Sequence, residues 1–107
     1  MFPYPLCDRT VTVYRKEGDR VLRRVAEGCF YRWEDHREAE RFTRKFLLIQ
    51  PGAEEILPGD RIFDGIGPET VDWETFLPVT VPGLSQAAYA SPWHWAGRIA
   101  HFEAGRK

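Results

Sequence analysis

The most regular pattern in the chain is alternation of apolar and polar positions. Residues 10–15, TVTVYR, place the two kinds of side chain on opposite faces of an extended backbone and are β-branched, so they predict a strand. Lys16, Glu17, Gly18 and Asp19 supply turn chemistry. Residues 20–25, RVLRRV, read as the return strand of a hairpin with a loop of about four residues. Glu27 and Gly28 mark a second break, and 29–33, CFYRW, a third strand, completing an antiparallel meander.

Alternation then stops. Residues 34–45, EDHREAERFTRK, are strongly polar, with only Ala39 and Phe42 as a thin apolar stripe. Good helix formers and the pairs Glu38/Arg41 and Glu40/Arg44 favour one or two helical turns, but a helix this short is marginal alone. The expectation is a mobile insertion loop holding a short helix. Residues 46–49, FLLI, are of strand length and end at Pro51-Gly52, with 53–57 as a connector.

Next comes a stretch with three glycines and two prolines, ILPGDRIFDGIGPE over 56–69. A phosphate loop needs G-x-x-x-x-G-K-[ST], so that backbone amides and a lysine surround the anion. Here Gly65 is followed by Ile66, Pro68 lacks an amide donor, and Asp60 and Asp64 repel anions. The stretch therefore reads as a turn at 58–60, a short strand at 61–63 and a hairpin-type turn at Asp64-Gly65. Beyond it, 71–76 suggest a helical turn or an edge segment, and 77–83 an extended run confined by its prolines to an edge or loop. Residues 84–89 read as a strand, 91–95 as a loop, 97–102 as a last strand, and 103–107 as a frayed tail. Many short strands between punctuating turns predict one mainly β domain over 1–107, a small antiparallel barrel or sandwich.

Composition changes this picture little. At 107 residues, 43% apolar and 29% charged, the chain suits a single globular domain with a thin core, and its 14% aromatics suit a small β fold. The net charge of −1 gives no overall sign of a nucleic-acid binder. It is unevenly spread, however. Residues 1–45 carry 11 Lys/Arg against 8 Asp/Glu, a net of +3, and 46–107 carry 4 against 8, a net of −4. Two faces of opposite sign suit head-to-tail stacking, although interleaved Arg and Glu also solvate an exposed face. No apolar run approaches the 18 or so residues of a membrane span, and the amino terminus lacks the basic and apolar regions of a signal peptide. An intracellular origin follows, with Cys7 and Cys29 as free thiols.

Candidate chemistry is sparse. Cys7, Cys29, His94 and His101 lack the local C-x-x-C or H-x-x-x-H spacing of a zinc site, so no metal and no cofactor is expected. Ser85 or Ser91 with His94 and Asp72 has no nucleophile elbow behind it, and no catalytic residue is assigned. Trp93-His94-Trp95 could stack on unpaired bases, with Arg9, Arg15, Lys16, Arg20, Arg23 and Arg24 as an electrostatic face, which keeps a nucleic-acid or regulatory binding module open. The same tryptophans suit the end of a small barrel or a protein interface, where Trp is enriched.

Three stretches carry a resemblance: the strand from Asp8 to Tyr14, the run from Pro58-Gly59-Asp60 to Gly67-Pro68-Glu69, and the end from Trp95 through Gly97 to His101-Phe102-Glu103-Ala104-Gly105. Together they resemble small proteins of Firmicutes prophage structural modules, called minor capsid, head–tail connector or head-completion proteins. The resemblance implies a compact β-barrel forming a homo-oligomeric ring in the neck of a tailed phage virion. Its partners would be the portal or adaptor and the tail proteins, with DNA passing through the lumen unread and no membrane involved. Residues 34–45 match no stretch of those proteins; as the loop reaching a neighbour or the lumen, they make Glu34, Asp35, His36, Arg37, Arg41, Arg44 and Lys45 the expected partner contacts, with Trp73, Trp93 and Trp95 as core or interface anchors.

Overall fold

The alternating amino-terminal stretch forms the centre of the sheet. In the computed structural model, which describes residues 7–106, strand β1 (Arg9–Glu17) pairs antiparallel with β2 (Arg20–Glu38). The connecting turn is shorter than expected. Glu17 faces Arg20 directly, and Gly18 at φ 61° begins a two-residue turn that a side chain would strain.

The break expected at Glu27-Gly28 is instead a bend within one long strand. Arg9 pairs with Cys29 but Val11 with Ala26, so the register slips by a β-bulge, and Gly28 occupies it at φ 69°. The bend hands the strand from one partner to another. Its first half pairs with β1, and Phe30 to Glu38 pair with β3 (Arg41–Pro51).

Four further elements complete the sheet: β4 (Arg61–Asp64), β5 (Leu84–Gln86), β6 (Tyr89–Trp95) and β7 (Arg98–Arg106). All neighbours are antiparallel, in the order β5-β4-β1-β2-β3-β7-β6. The mainly β expectation holds, with one seven-stranded sheet that curls but is not closed into a barrel. Its two edges, β5 and β6, are consecutive in the chain. Ala87 N donates to Asp60 O beside β4, and Ala88 N to Gly105 O beside β7.

Several local expectations are corrected. Residues 34–45 hold no helix; they form the end of the β2–β3 hairpin, turning at Ala39-Glu40. Asp64-Gly65 does not turn a hairpin, because β4 pairs with β1 and, after a long excursion, with β5. That excursion is not extended at 77–81: Thr80 N and Val81 N both donate to Leu77 O, making a turn. Residues 84–89 are split between β5 and β6, and 91–95 are strand rather than loop. Of the expected frayed tail, Glu103 to Arg106 complete β7 with Ala104 fully buried, while Lys107 lies outside the described residues.

The main core fills the inside of the curl with Val11, Val13, Tyr31, Phe46, Leu48, Ile56, Ile62 and Phe102. A second cluster, Tyr14, Phe76 and Leu84, forms where the 65–83 excursion covers the outside of β1. This explains why Val11, Thr12, Val13 and Tyr14 are all buried although they alternate between faces. Thr12 Oγ1 donates to Gly65 O and accepts from Gly67 N, and Tyr14 OH donates to Pro68 O. Gly67 is needed there, since a Cβ would stand 2.2 Å from the Tyr14 hydroxyl oxygen.

Candidate partner-contact surfaces

The arm formed by the β2–β3 hairpin carries seven of the nine expected contact residues on two unlike faces. Cross-strand pairing sets Trp33 opposite Phe46, Asp35 opposite Arg44 and Arg37 opposite Phe42, all on the inner side. Glu34, His36 and Glu38 alternate onto the outer side with Lys45, Thr43 and Arg41.

The inner side is a stack of cations and rings. The Arg44 guanidinium lies 4.8 Å from the Trp33 ring centroid and 5.3 Å from that of Phe42, and Arg37 covers Phe42 from 4.9 Å. Arg44 also donates through Nε and Nη2 to the two oxygens of Asp35, and through Nη1 to Val81 O at 2.8 Å and Leu84 O at 2.7 Å. With 6% of its side chain exposed, Arg44 is therefore part of the scaffold rather than a free contact. Its bonds hold the Asp35 carboxyl below the usual carboxylate range.

The outer side is open to solvent. Glu34 is 71% exposed, and its Oε1 meets His36 Nε2 at 3.0 Å. That contact lowers the Glu34 carboxyl below its ordinary value. Arg41 and Lys45 are exposed, as is Arg37 on the inner side. Six of the seven arm residues thus remain accessible, and only Arg44 is withdrawn.

Trp93 and Trp95 sit far from the arm's tip in sequence, on edge strand β6. Pro92 precedes Trp93 and the pairing slips between Trp93 and His94, two features that interrupt an edge. Trp93 is 52% and Trp95 60% exposed. The Trp93 ring stacks on His101 at 5.9 Å, covering it. Burial lowers the His101 imidazole below its ordinary value, against an opposing effect of Glu103.

Four of the amino-terminal arginines are engaged within the fold, while Lys16 and Arg20 are exposed. Arg9 chelates Asp64 and Arg15 chelates Asp60, a carboxylate only 2% exposed. Arg23 donates to Gly67 O and Pro68 O, and Arg24 to Glu55 O. These groups fasten loops to β1 and β2. Sequence reasoning also passed over Arg61, which is 6% exposed, lies 3.7 Å over the Trp73 ring, and donates to the carbonyls of Trp73 and Phe76. Burial lowers its pKa, and no hydrophobicity pattern signals such a residue.

The concavities are shallow grooves. One of about 270 Å³ crosses the outer root of the arm at Phe30, Arg32, Glu34, Lys45 and Leu47. Another of about 230 Å³ lies between the arm's inner side and the 77–79 turn. Among the described residues no three His, Cys, Asp or Glu side chains converge as a metal site would require. Cys7 and Cys29 are free thiols, as expected, and burial and the nearby Cys7 push Cys29 up to about 11. No helix among the described residues is long and apolar enough to cross a membrane. Comparison with protein families, with curated proteins and with solved structures found no match to this chain.

Proposed function

We propose that this chain is a structural protein of a tailed-phage virion: a ring-forming, head-completion or stopper-type subunit in the neck, between portal and tail. The reading begins from the resemblance of the 8–14, 58–69 and 95–105 stretches to prophage neck proteins. The structural observation that carries it is the arm. It is a two-stranded projection whose accessible residues, Glu34, Asp35, His36, Arg37, Arg41 and Lys45, bear both signs of charge. An arm of this kind suits adhesion to neighbouring copies and to the parts above and below. Trp93 and Trp95, exposed at the opposite edge of the same sheet region, serve as apolar anchors.

The mechanism is multiplication of weak contacts. Each subunit offers a small surface, and ring symmetry repeats it until the assembly holds. No catalytic step is required, and DNA passes through the lumen without being read. Cryo-electron microscopy of virions tests the proposal by locating density for this chain as a ring between portal and tail. A neck reconstruction without a copy of it removes the reading. The second class of function, a nucleic-acid module, is disfavoured because Arg9, Arg15, Arg23 and Arg24 are engaged within the fold.

A further inference from the structure

The sheet fails to close between β5 and the β3–β7 side; besides the main-chain bond from Ala88 N to Gly105 O where the chain crosses to β6, side chains rather than paired strands bridge the gap. Arg44 of β3 reaches Leu84 O, Tyr31 OH of β2 donates to Gly83 O at 3.1 Å, and Arg106 Nε of β7 approaches Gln86 O at 3.4 Å. The last contact is long for an N–H···O bond. Arg106 is exposed and makes no ion pair among the described residues, so its charge is almost uncommitted.

The 230 Å³ groove runs along this seam. Phe42 on β3 and Leu77, Pro78 and Val79 on the facing turn make part of its lining apolar; Thr43, Arg44, Gln86 and Arg106 make the rest polar. It has two guanidinium groups and no acidic residue in its lining. Arg44 is neutralised by Asp35, which leaves Arg106 as the charge a ligand meets. Val79 is 53% exposed, an apolar side chain with open space before it. Arg106 pairs with Phe46, four residues along β3 from Phe42, so the groove extends roughly 13 Å, the reach of about four extended residues.

We propose that this seam groove docks an extended segment of a partner protein in which carboxylates alternate with aliphatic side chains. One carboxylate pairs with Arg106, and an aliphatic side chain packs between Phe42 and Val79. A basic segment is rejected, because nothing acidic in the groove's lining receives it. The inference stands whether or not the chain forms a ring.

Two synthetic peptides test it: a six-residue peptide alternating glutamate with valine, and its lysine–valine counterpart. Each is titrated into the isotope-labelled full chain and followed by backbone amide chemical shifts. The glutamate peptide is expected to move the amides of Phe42, Thr43, Val79 and Arg106, and the lysine peptide to leave them unmoved. Arg106→Glu or Val79→Asp, both at exposed positions, is expected to weaken the glutamate peptide by about tenfold or more, and Trp93→Ala to leave it unchanged. Equal response to both peptides, shifts confined to other surfaces, or no response at millimolar peptide overturns the proposal. So does concentration-dependent self-association that Arg106→Glu abolishes, since the occupant is then a second copy of this chain.

Discussion

Replacing Arg44 by alanine is the most demanding test of how the arm is held to the body. The side chain makes two bonds to the main-chain carbonyls of Val81 and Leu84 and two to Asp35, and lies over the rings of Trp33 and Phe42. Hydrogen bonds from a charged donor contribute about 1.5–3 kcal/mol each, and the Leu84 carbonyl, though not the part-buried one of Val81, lies where water does not easily replace the lost partner. The Asp35 ion pair adds less, about 1 kcal/mol, because that carboxylate is 38% exposed and screened. The cation–π contacts add about 0.5–1 kcal/mol. These contributions are coupled rather than additive, so the expected loss for Arg44→Ala is about 3–5 kcal/mol. That is a large share of the roughly 5–15 kcal/mol that holds a domain of this size. Urea denaturation followed by tryptophan fluorescence measures it, with a fall of about 12 °C or more in Tm alongside. Arg44→Lys keeps the charge but not the fork, and is expected to lose about 2 kcal/mol. A loss below about 1 kcal/mol for Arg44→Ala refutes the claim that this one side chain ties the arm to the 81–84 segment.

Four further outcomes follow from the geometry. A Cβ at Gly105 would stand 2.7 Å from Phe46 O and 2.7 Å from Tyr89 Oη, and the main-chain oxygen cannot withdraw, so Gly105→Ala is expected to cost about 1–3 kcal/mol in urea unfolding. Ala96 at φ 54° and Gly97 at φ 79° form the two-residue β6–β7 turn, which favours Asn-Gly, so Ala96→Asn should raise stability by about 0.5–1 kcal/mol; a loss in Tm contradicts the turn assignment. The His101 imidazole titrates below its ordinary value in the folded state, so its contribution to stability is complete above about pH 6.5 and is lost as pH falls from there toward the folded value; His101→Gln should reduce the slope of the urea midpoint between pH 7 and pH 5. Cys29 is fully buried with its thiol pushed up to about 11, so a thiol-reactive dye at pH 8 should label Cys7 in the folded protein and both cysteines in urea; equal native labelling contradicts the packing around the bulge.

Where alternation met a core, the sequence was readable. Residues 10–15, 20–25, 29–33, 46–49 and 61–63 all lie in strands, and the strand expected at 97–102 begins at Arg98, because each presents apolar side chains to one of the two core clusters. The arm was not readable for the converse reason. Its outer face meets water, and its inner face is built from Arg37, Phe42, Arg44 and Trp33, where stacked guanidinium groups take the place of aliphatic side chains. Counting apolar positions scores such a stack as polar and calls up a loop. The tail misled in another way. Ala104 and Gly105 look like fraying residues, yet Ala104 is fully buried and Gly105 is small because the Phe46 carbonyl and the Tyr89 ring approach it closely. Residues 91–95 read as a loop, but they form an edge strand, which tolerates Pro92 because an edge residue need not donate. Of the candidate contacts, polarity alone correctly marked the exposed members of the arm and could not single out Arg44, whose burial depends on the distant 81–84 segment.

The same arrangement explains how an unclosed sheet can hold a projecting arm against its body. A two-stranded hairpin is marginal in water unless something packs against a face. Here the packing partner is the 77–84 stretch, and Arg44 is the link between them. The seam groove exists because the link is made by side chains, Arg44 foremost, instead of a ladder of backbone bonds, which leaves Phe42 and Val79 lining open space. Stability of the arm and shape of the groove therefore depend on the same residue. Arg44→Ala should loosen both together, seen as increased amide exchange in Phe42 and Thr43 and in the 77–81 turn, whereas Arg106→Glu should change the groove's charge and leave exchange in the arm as it was.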